Sequence, residues 1–394
     1  MAAPEALPLQ LFEGGPLWRL LVSTRLVDPP RKLLLRRIVA LVAFTWLPLV
    51  LLSAWAGTAV GNRVELPLIR DLAVHVRFLL AVPLLVLGEV LLHAAVGAVL
   101  RYLGTSGIVS PEQEPKLQAI LARGRRRRDS LGVELLLVAI AFGGAVLAFS
   151  SVQELFHGLS SWRMQPASDG SAVLTRAGWW HSAISVPLFQ FLVLRWLWRL
   201  AIWTGVLRAI ARLDLALVAS HPDHAGGLGF VSVGQLGFAA FLFAINAVIS
   251  ASIANSVWYG GQTLSAERAI IIGAIVLSLL LVLTPLIVFR GALARAKRVG
   301  RLRYGVLASH HGRYFEARWL TPDPPPESVL EAADISSLAD IQASFERVER
   351  MRPLPIGRSE LMPLAAASAL PYAPLALMVM PLSEILKRLL GALT

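Results

Sequence analysis

Apolar runs of about 20 residues recur along the chain, and they constrain the fold more than any other feature. Twenty helical residues, at a rise of 1.5 Å each, span a hydrocarbon core of about 30 Å. The composition agrees, because 56% of the 394 residues are hydrophobic, only 16% are charged and the mean hydropathy is +0.64. The sequence therefore predicts an all-α, polytopic bundle of transmembrane helices.

Six spans are predicted, with both termini on the cytoplasmic side. They cover approximately residues 38–57, 78–100, 131–150, 179–198, 235–258 and 269–289. Lys and Arg are concentrated before the first span, between the second and third, and after the sixth, and such residues favour the cytoplasmic side. We therefore expect a multi-pass protein of a bacterial inner membrane with a cytoplasmic N-terminus.

The chain is expected to divide into four segments. Residues 1–37 form a cytoplasmic or interfacial arm, residues 38–290 the six-helix transmembrane domain, and residues 291–360 a basic cytoplasmic helical segment. Residues 361–394 form a Pro-broken hydrophobic segment followed by an amphipathic helix. Broken backbone at membrane depth is stable only inside protein or beside a cavity, so a re-entrant or interfacial hairpin is favoured here over a seventh span.

Cysteine is absent and the formal net charge is +12. The first fact excludes disulfides, thiolate metal sites and cysteine nucleophiles. We attribute the positive charge to the cytoplasmic loops of a polytopic protein and not to a nucleic-acid-binding site. The basic run between the second and third spans is expected to contact anionic lipid. Its residues are Arg123, Arg125, Arg126, Arg127 and Arg128.

Glu89 is the sharpest candidate for a functional residue. It lies near the middle of the predicted second span, where an ionisable group is costly and usually faces a partner or a cavity. His93 lies one turn further on the same face, so the two side chains could relay protons or bind a cation. The alternative is a structural Glu–His pair that joins two helices.

Charged residues near the ends of other spans extend this hypothesis. Glu134 is expected near the cytoplasmic end of the third span, and Arg195 and Arg199 near that of the fourth. These three residues either form an ion-pair network or extend their side chains to the membrane interface. Trp179 and Trp196, one span length apart, are interpreted as members of two aromatic belts.

Small residues recur with a period of 3.5 along the fifth span. They are Gly237, Ala240, Ala244, Ala247, Ala251 and Ala254. Such a seam allows the close approach of another helix, either from the same chain or from a second copy in a homo-oligomer. Asn246 and Ser250 lie beside the seam, where they either line a pore or form interhelical hydrogen bonds.

The loop of residues 221–230 combines two His, one Asp and three Gly directly before the fifth span. Gly226, Gly227 and Gly229 permit positive φ, so the amides could form an anion-binding nest. His221, Asp223 and His224 are candidate metal ligands, together with His310 and His311 from the cytoplasmic tail. The third interpretation is a structured turn capped by Asp223. No motif indicates a cofactor.

Three stretches carry a resemblance to a known family. They are GGPLWRLL at residues 14–21, HPDHAGGLGF at residues 221–230 and MPLSEILKRLLG at residues 380–391. With these stretches the chain resembles a family of uncharacterised bacterial polytopic integral membrane proteins without an assigned function. The resemblance implies the fold and makes the loop a landmark of the family. It implies no substrate and no catalytic residue.

Two functions follow as hypotheses. An ion or small-solute channel or transporter is favoured by Glu89, His93 and the polar fifth span. A non-catalytic scaffold or signalling partner that oligomerises through the fifth span is the alternative, favoured by the basic tail and the small-residue seam. A membrane-embedded enzyme ranks third, because no nucleophile–base pair or metal motif is specific enough to support one.

Overall fold

The computed structural model of the chain describes residues 34–155, 160–166, 172–320 and 333–376. These residues form an all-α bundle, as predicted. Its helices are α1 (Leu34–Trp55), α2 (Leu72–Thr105), α3 (Glu114–Arg128), α4 (Leu131–Leu155), α5 (Arg176–Ile210), α6 (Ala239–Tyr259), α7 (Leu264–Leu283), α8 (Arg290–Trp319), α9 (Ala333–Glu349) and α10 (Arg358–Ala369). A 3-10 turn, Thr284–Phe289, connects α7 to α8.

Five of the described helical segments are long and apolar enough to cross a membrane: α1, α2, α5, α6 and the continuous run of α7 and α8. Helices α3 and α4 meet at an angle of 46° and together qualify as a sixth. Large apolar side chains are exposed on the outer faces, among them Leu51, Leu147 and Leu277. Exposed apolar surface on this scale is typical of lipid contact. The five to six candidate spans indicate a multi-pass membrane protein.

The two ends of the bundle differ. At one, which we call the hairpin end, strands β1 (Met164–Pro166) and β2 (Ala172–Leu174) pair antiparallel, and Leu66 bridges to Ser161. At the other, which we call the basic end, Val109 after α2 bridges to Leu215 after α5, and α8 packs against α9. Because α2 has 34 residues, its two ends lie about 50 Å apart.

Helices α2, α5 and α6 form the centre of the bundle and meet at Trp196. The indole of Trp196 stacks on Phe241 with a centroid separation of 5.5 Å, and its Nε1 donates to the carbonyl of Leu85 over 3.2 Å. A Cβ at Gly88 would lie 3.0 Å from this indole, so α2 can approach only with glycine here. Trp196 is therefore a core residue, and its assignment to an aromatic belt is wrong.

The small-residue seam of α6 is used inside the chain. A Cβ at Gly237 would lie 2.7 Å from Leu92 of α2, and one at Gly88 would lie 2.9 Å from Ala240. The alanines further along the seam are buried as well. The intramolecular interpretation of the seam is confirmed. The homo-oligomer contact through these residues stays a prediction, and it would need a surface that the chain's own helices already cover.

The Pro-broken segment that begins with α10 lies against α6 and α7. Leu364 and Ser368 are completely buried. Further along, Leu375 belongs to an apolar cluster that also includes Leu72 and Leu264, the first residues of α2 and α7. The described part of this segment thus runs through the bundle from the basic end towards the hairpin end, which does not fit an interfacial position. Residues 1–33 and 377–394 lie outside the described residues.

Candidate functional site

Asp71 organises the hairpin end of the bundle. Its buried carboxylate accepts hydrogen bonds from the amide of Val74 (3.2 Å), from Nδ2 of Asn255 (2.8 Å) and from Nε1 of Trp162 (2.9 Å). The first of these bonds caps the start of α2. Arg163 completes the set as an ion-pair partner. One carboxylate therefore joins α2, α6 and the segment that leads into β1.

Asp71 remains charged although it is buried. Burial alone would raise the pKa of Asp71, but the positive charge of Arg163 and the hydrogen bonds from Arg163 and Trp162 hold it well below its usual range. The ionised carboxylate in turn fixes the guanidinium of Arg163 at the hairpin end.

Two π-helical turns lie close to this group of residues. One, Val76–Ala81, follows the first turn of α2, and the other, His181–Ser185, lies near the start of α5. A π-turn inserts one extra residue into a helix, is rare, and is frequently found at functional sites. Arg77 belongs to the first π-turn and His181 to the second.

A cavity of about 230 Å³ is lined by residues of both π-turns, α4 and the hairpin, and we call it the hairpin-end cavity. Its polar lining residues are Arg77, Arg163, His181, Ser182 and Gln190. Its apolar lining residues are Ala145, Met164, Leu174, Val186 and Phe189. The walls hold two guanidinium groups, and Asp71 forms an ion pair with only one of them, so the cavity is positively charged.

Three polar atoms at this cavity lack a hydrogen-bond partner among the described residues. They are Nε of Arg77, Nε2 of His181 and Oε1 of Gln190, and all three are buried. Leaving such a group unsatisfied costs about 1–3 kcal/mol, and native proteins rarely do so without a reason. Three of them around one cavity indicate a site for a polar ligand.

The ring of His181 is held rigidly at the cavity wall. It is 4% exposed and packs edge-on against Trp162 and Phe78, with ring centroids 5.4 and 6.1 Å apart. The guanidinium of Arg77 lies 5.6 Å above the ring of Phe189. Aromatic contacts thus fix the two side chains at the cavity wall, where Nε of Arg77 and Nε2 of His181 have no hydrogen-bond partner among the described residues. The positive charge of the guanidinium favours an anion in this cavity.

Glu89 lies elsewhere, in a buried ion cluster at the centre of α2. Arg37 donates two hydrogen bonds to it, from Nη1 to Oε2 (2.5 Å) and from Nη2 to Oε1 (2.9 Å). Arg195 adds a third, from Nη1 to Oε1 (3.3 Å). The side chain of His93 is half-buried, and its Nδ1 has no partner in the described part of the chain. The predicted Glu89–His93 pair is wrong, because charged guanidinium groups from α1 and α5 bind the carboxylate instead.

Arg195 and Arg199 extend this cluster towards the basic end. Both are 2% exposed, and Nη1 of Arg199 donates to the carbonyl of Arg128 over 3.4 Å. Glu134 is close enough to interact electrostatically with both arginines. The burial of Arg195 and Arg199 contradicts the interpretation that they extend to the interface, and the ion network among these three residues stays a prediction.

Asn246 joins α6 to two neighbouring segments. Its Nδ2 donates to the carbonyl of Leu242 (2.8 Å) and to Oγ of Ser278 on α7 (3.1 Å), while its Oδ1 accepts from the hydroxyl of Tyr372 (2.9 Å). Asn246 and Ser250 are both buried in the bundle. The polar face of α6 thus forms interhelical hydrogen bonds, which was one of its two predicted roles.

The glycine-rich loop contains the predicted amide nest, but Asp223 fills it. One carboxylate oxygen accepts from the amides of Ala225 (2.7 Å) and Gly227 (3.1 Å), and the other accepts from that of Gly229 (2.8 Å). Burial alone would raise the pKa of Asp223, but these amides and His221 lower it. Because the loop's own carboxylate already occupies the amides, the structured-turn interpretation fits the geometry and binding of an external anion does not.

The same loop is fastened to the basic end on two sides. The hydroxyl of Tyr102 on α2 donates to the carbonyl of Gly227 over 3.0 Å. Arg352, which follows α9, donates through its side chain to the carbonyl of Asp223 (2.6 Å) and through its amide to that of His224 (2.7 Å). The loop therefore connects α2 to the α8–α9 pair.

The predicted metal site gains no support. His311 on α8 lies beside the carbonyl of Asp334 on α9, at 3.5 Å, and not at the loop. Across the described ranges, no three His, Cys, Asp or Glu side chains are grouped in a way that could hold a metal ion. His221 contacts Asp223 over 2.8 Å, which leaves that pair as part of the turn.

Sequence reasoning missed the residues of the hairpin-end cavity. Asp71 and Arg77 flank the predicted second span and resemble ordinary loop charges, while Arg163 falls in a stretch expected to be an external loop. One signal was available: Arg77 adjoins the predicted non-cytoplasmic end of a span, where Lys and Arg are disfavoured. A positively charged side chain at that position therefore indicates a specific partner or ligand nearby.

Comparisons with known proteins give no family for this chain, so its function is inferred from the geometry of the site. The resemblance to bacterial integral membrane proteins stays a prediction. No protein-family model, no curated protein and no solved structure matches this chain.

Proposed function

We propose that this chain is a membrane transport protein and that its substrate is a small anionic solute bound in the hairpin-end cavity. One observation carries the proposal. Arg77, His181 and Gln190 line a single positively charged cavity between two π-turns, and each has a buried polar atom without a hydrogen-bond partner among the described residues.

The charge and size of the cavity define the substrate class. Charge interactions are strong in a poorly hydrated site, so a carboxylate or phosphate group would bind Arg77 and accept hydrogen bonds from it and from His181. The apolar wall around Phe189 suits a short carbon skeleton. A volume of about 230 Å³ is below the roughly 300–1,000 Å³ of drug-sized pockets, which favours a solute with few heavy atoms.

The buried ion cluster lies on the same two helices, further from the hairpin end. Twelve residues separate Arg77 from Glu89 along α2, which corresponds to about 18 Å of helix. In this proposal Arg37 and Arg195 form a second cationic station that Glu89 occupies as an internal counter-ion. Ionisable side chains inside membrane proteins commonly mark substrate pathways. Glu89 thus acts as an exchangeable carboxylate in place of the proton relay with His93 that the sequence suggested.

The orientation follows from charge. Lys and Arg are concentrated at the basic end, so we place that end in the cytoplasm of a bacterial cell and the hairpin end outside the inner membrane. The cavity then faces the side from which a solute would be taken up. A scaffold that oligomerises through α6 has less support, because α6 is covered by the chain's own helices.

Binding and uptake in reconstituted liposomes test the proposal. We expect the purified protein to take up one or more members of a panel of small anions, such as phosphate, acetate, lactate and succinate. The variant R77Q should lose binding and uptake. R70Q is the matched control, because Arg70 lies at the same end but is exposed and does not line the cavity. Binding without uptake would contradict transport, and unchanged binding in R77Q would contradict the site.

A further inference from the structure

A second cavity, of about 450 Å³, lies at the basic end where α3 and α4 bend against α5. We call it the Arg126–Arg127 crevice. Its lining residues are Arg126, Arg127, Ser130, Val133, Trp198, Ala201 and Ile202. Two guanidinium groups therefore stand at one side of the crevice, and its other walls are largely apolar.

The charge of the crevice is not neutralised by nearby acids. Asp129, the acidic residue closest in sequence, forms an ion pair with Arg128 over 2.7 Å. Among the described residues, Arg126 and Arg127 have no ion-pair partner. Nη1 of Arg127 lies 3.3 Å from the position that a Cβ at Gly205 would take, so the side chain lies directly against α5.

An apolar surface continues from the crevice along α4. Leu131, Leu135 and Ile140 are each about half exposed or more, as expected for side chains that contact lipid. Trp198 of α5 lines the crevice together with the arginines, and tryptophan is enriched at the level of lipid headgroups. The site therefore has a cationic part and an apolar part, in the order in which a phospholipid presents its phosphate and its acyl chains.

We propose that the Arg126–Arg127 crevice binds one anionic phospholipid, whose phosphate contacts the two guanidinium groups and whose acyl chains lie along α4. The sequence predicted lipid contact along the whole basic run from Arg123 to Arg128. The geometry narrows the contact to two of those residues. Free phosphate has the same headgroup chemistry, but it would leave the apolar walls at Val133 and Ile202 unused.

Retention of phospholipid during purification tests this site. The protein is extracted from membranes containing phosphatidylglycerol and phosphatidylcholine, and bound lipid is counted by native mass spectrometry. We expect one phosphatidylglycerol per chain. The variant R126Q/R127Q should retain it about thirty-fold less well, taking each of the two guanidinium–phosphate contacts to contribute as much as one basic residue at an anionic surface, roughly a five-fold gain in binding. The control R123Q/R125Q removes the same charge from the same helix and should retain the lipid.

A second variant tests the binding of the acyl chains separately from the binding of the headgroup. Ala201 is exposed in the crevice, so A201W fills the apolar part without changing either arginine. We expect A201W to lose phosphatidylglycerol while its thermal midpoint stays close to that of the native chain. If A201W retains phosphatidylglycerol, or if inorganic phosphate alone displaces the lipid at equal concentration, a phospholipid site is excluded. An equal loss in R123Q/R125Q would mean unspecific surface charge and would overturn the proposal as well.

Discussion

Arg37 of α1 and Glu89 of α2 form a two-pronged ion pair, with Nη1 2.5 Å from Oε2 and Nη2 2.9 Å from Oε1. Arg195 of α5 contacts the same carboxylate, so a single acid holds three helices together in the middle of the bundle. Both the stability of the bundle and the proposed second station for an anion depend on this carboxylate.

Replacing Glu89 by Gln should strongly destabilise the protein. The substitution removes the carboxylate of Glu89 but leaves the guanidinium groups of Arg37 and Arg195 buried. Breaking a buried ion pair in this way lowers the free energy of unfolding by about 3–5 kcal/mol. The measurement is the thermal midpoint in detergent. H93Q is the matched control, one turn further along α2, and it should differ little from the native chain. Equal midpoints for E89Q and the native protein would contradict the cluster.

Replacing Asp71 by Asn should loosen the segment around β1. Asn has one acceptor oxygen, so it can accept either from Trp162, which donates to Oδ2, or from Asn255, which donates to Oδ1, and it offers no charge to Arg163. A hydrogen bond to a charged group contributes about 1.5–3 kcal/mol, so local opening should become roughly ten-fold or more frequent.

Hydrogen exchange of residues 160–166 measures this opening. The control is E65Q: Glu65 also contacts the segment, through the amide of Ser160 at 2.9 Å, but its carboxylate is exposed. If E65Q accelerated exchange as much as D71N, the central position assigned to Asp71 would be wrong.

The glycine-rich loop should lose stability in acid. The pKa of Asp223 is lowered in the folded chain, so its contribution is complete above about pH 4, the ordinary value for Asp. That contribution is lost as the pH falls through the lower pKa of the folded loop. The test compares the thermal midpoints of the native chain and D223N at several pH values. The difference between them should be largest near neutral pH and shrink below pH 4; a constant difference would contradict this account.

Alanine should have opposite effects at two glycines. Gly226 has a φ of +66°, and a Cβ there would lie 3.1 Å from Met351 and 3.3 Å from Leu217. G226A should therefore cost about 1–3 kcal/mol. Gly312 lies within α8 with no atom near its added Cβ, so G312A should stabilise by up to about 1 kcal/mol. The thermal midpoints of the two variants measure these effects. Equal changes in the two midpoints would show that backbone geometry does not determine the change in stability.

The helices could be predicted from the sequence because their signal is local. A run of apolar residues sets the length of a span without reference to the rest of the chain, and the predicted second span of residues 78–100 lies within α2. Its first residues were missed because Arg77 is polar, and polarity near a span resembles a loop until burial is known. At the other end α2 continues past the predicted span through Arg101 to Thr105.

The partners of the buried charges could not be predicted in the same way. Arg37 resembles an ordinary flanking charge, and its contact with Glu89 spans 52 residues of sequence. His93 was an attractive partner for Glu89 because helical periodicity is visible in one sequence, whereas contact between helices is not. The hairpin-end cavity combines α2, α4, α5 and the hairpin, so no single stretch could reveal it.

The hydrogen bond between Asn246 and Tyr372 has a consequence for the order in which the bundle assembles during synthesis. Tyr372 leaves the ribosome after 126 further residues have been added, a delay on the order of ten seconds at bacterial or eukaryotic rates of synthesis. Until then the amide oxygen of Asn246 lacks the hydroxyl that donates to it in the folded chain, so this contact of α6 can form only late in synthesis. Completion of the bundle around α6 is thus a late event.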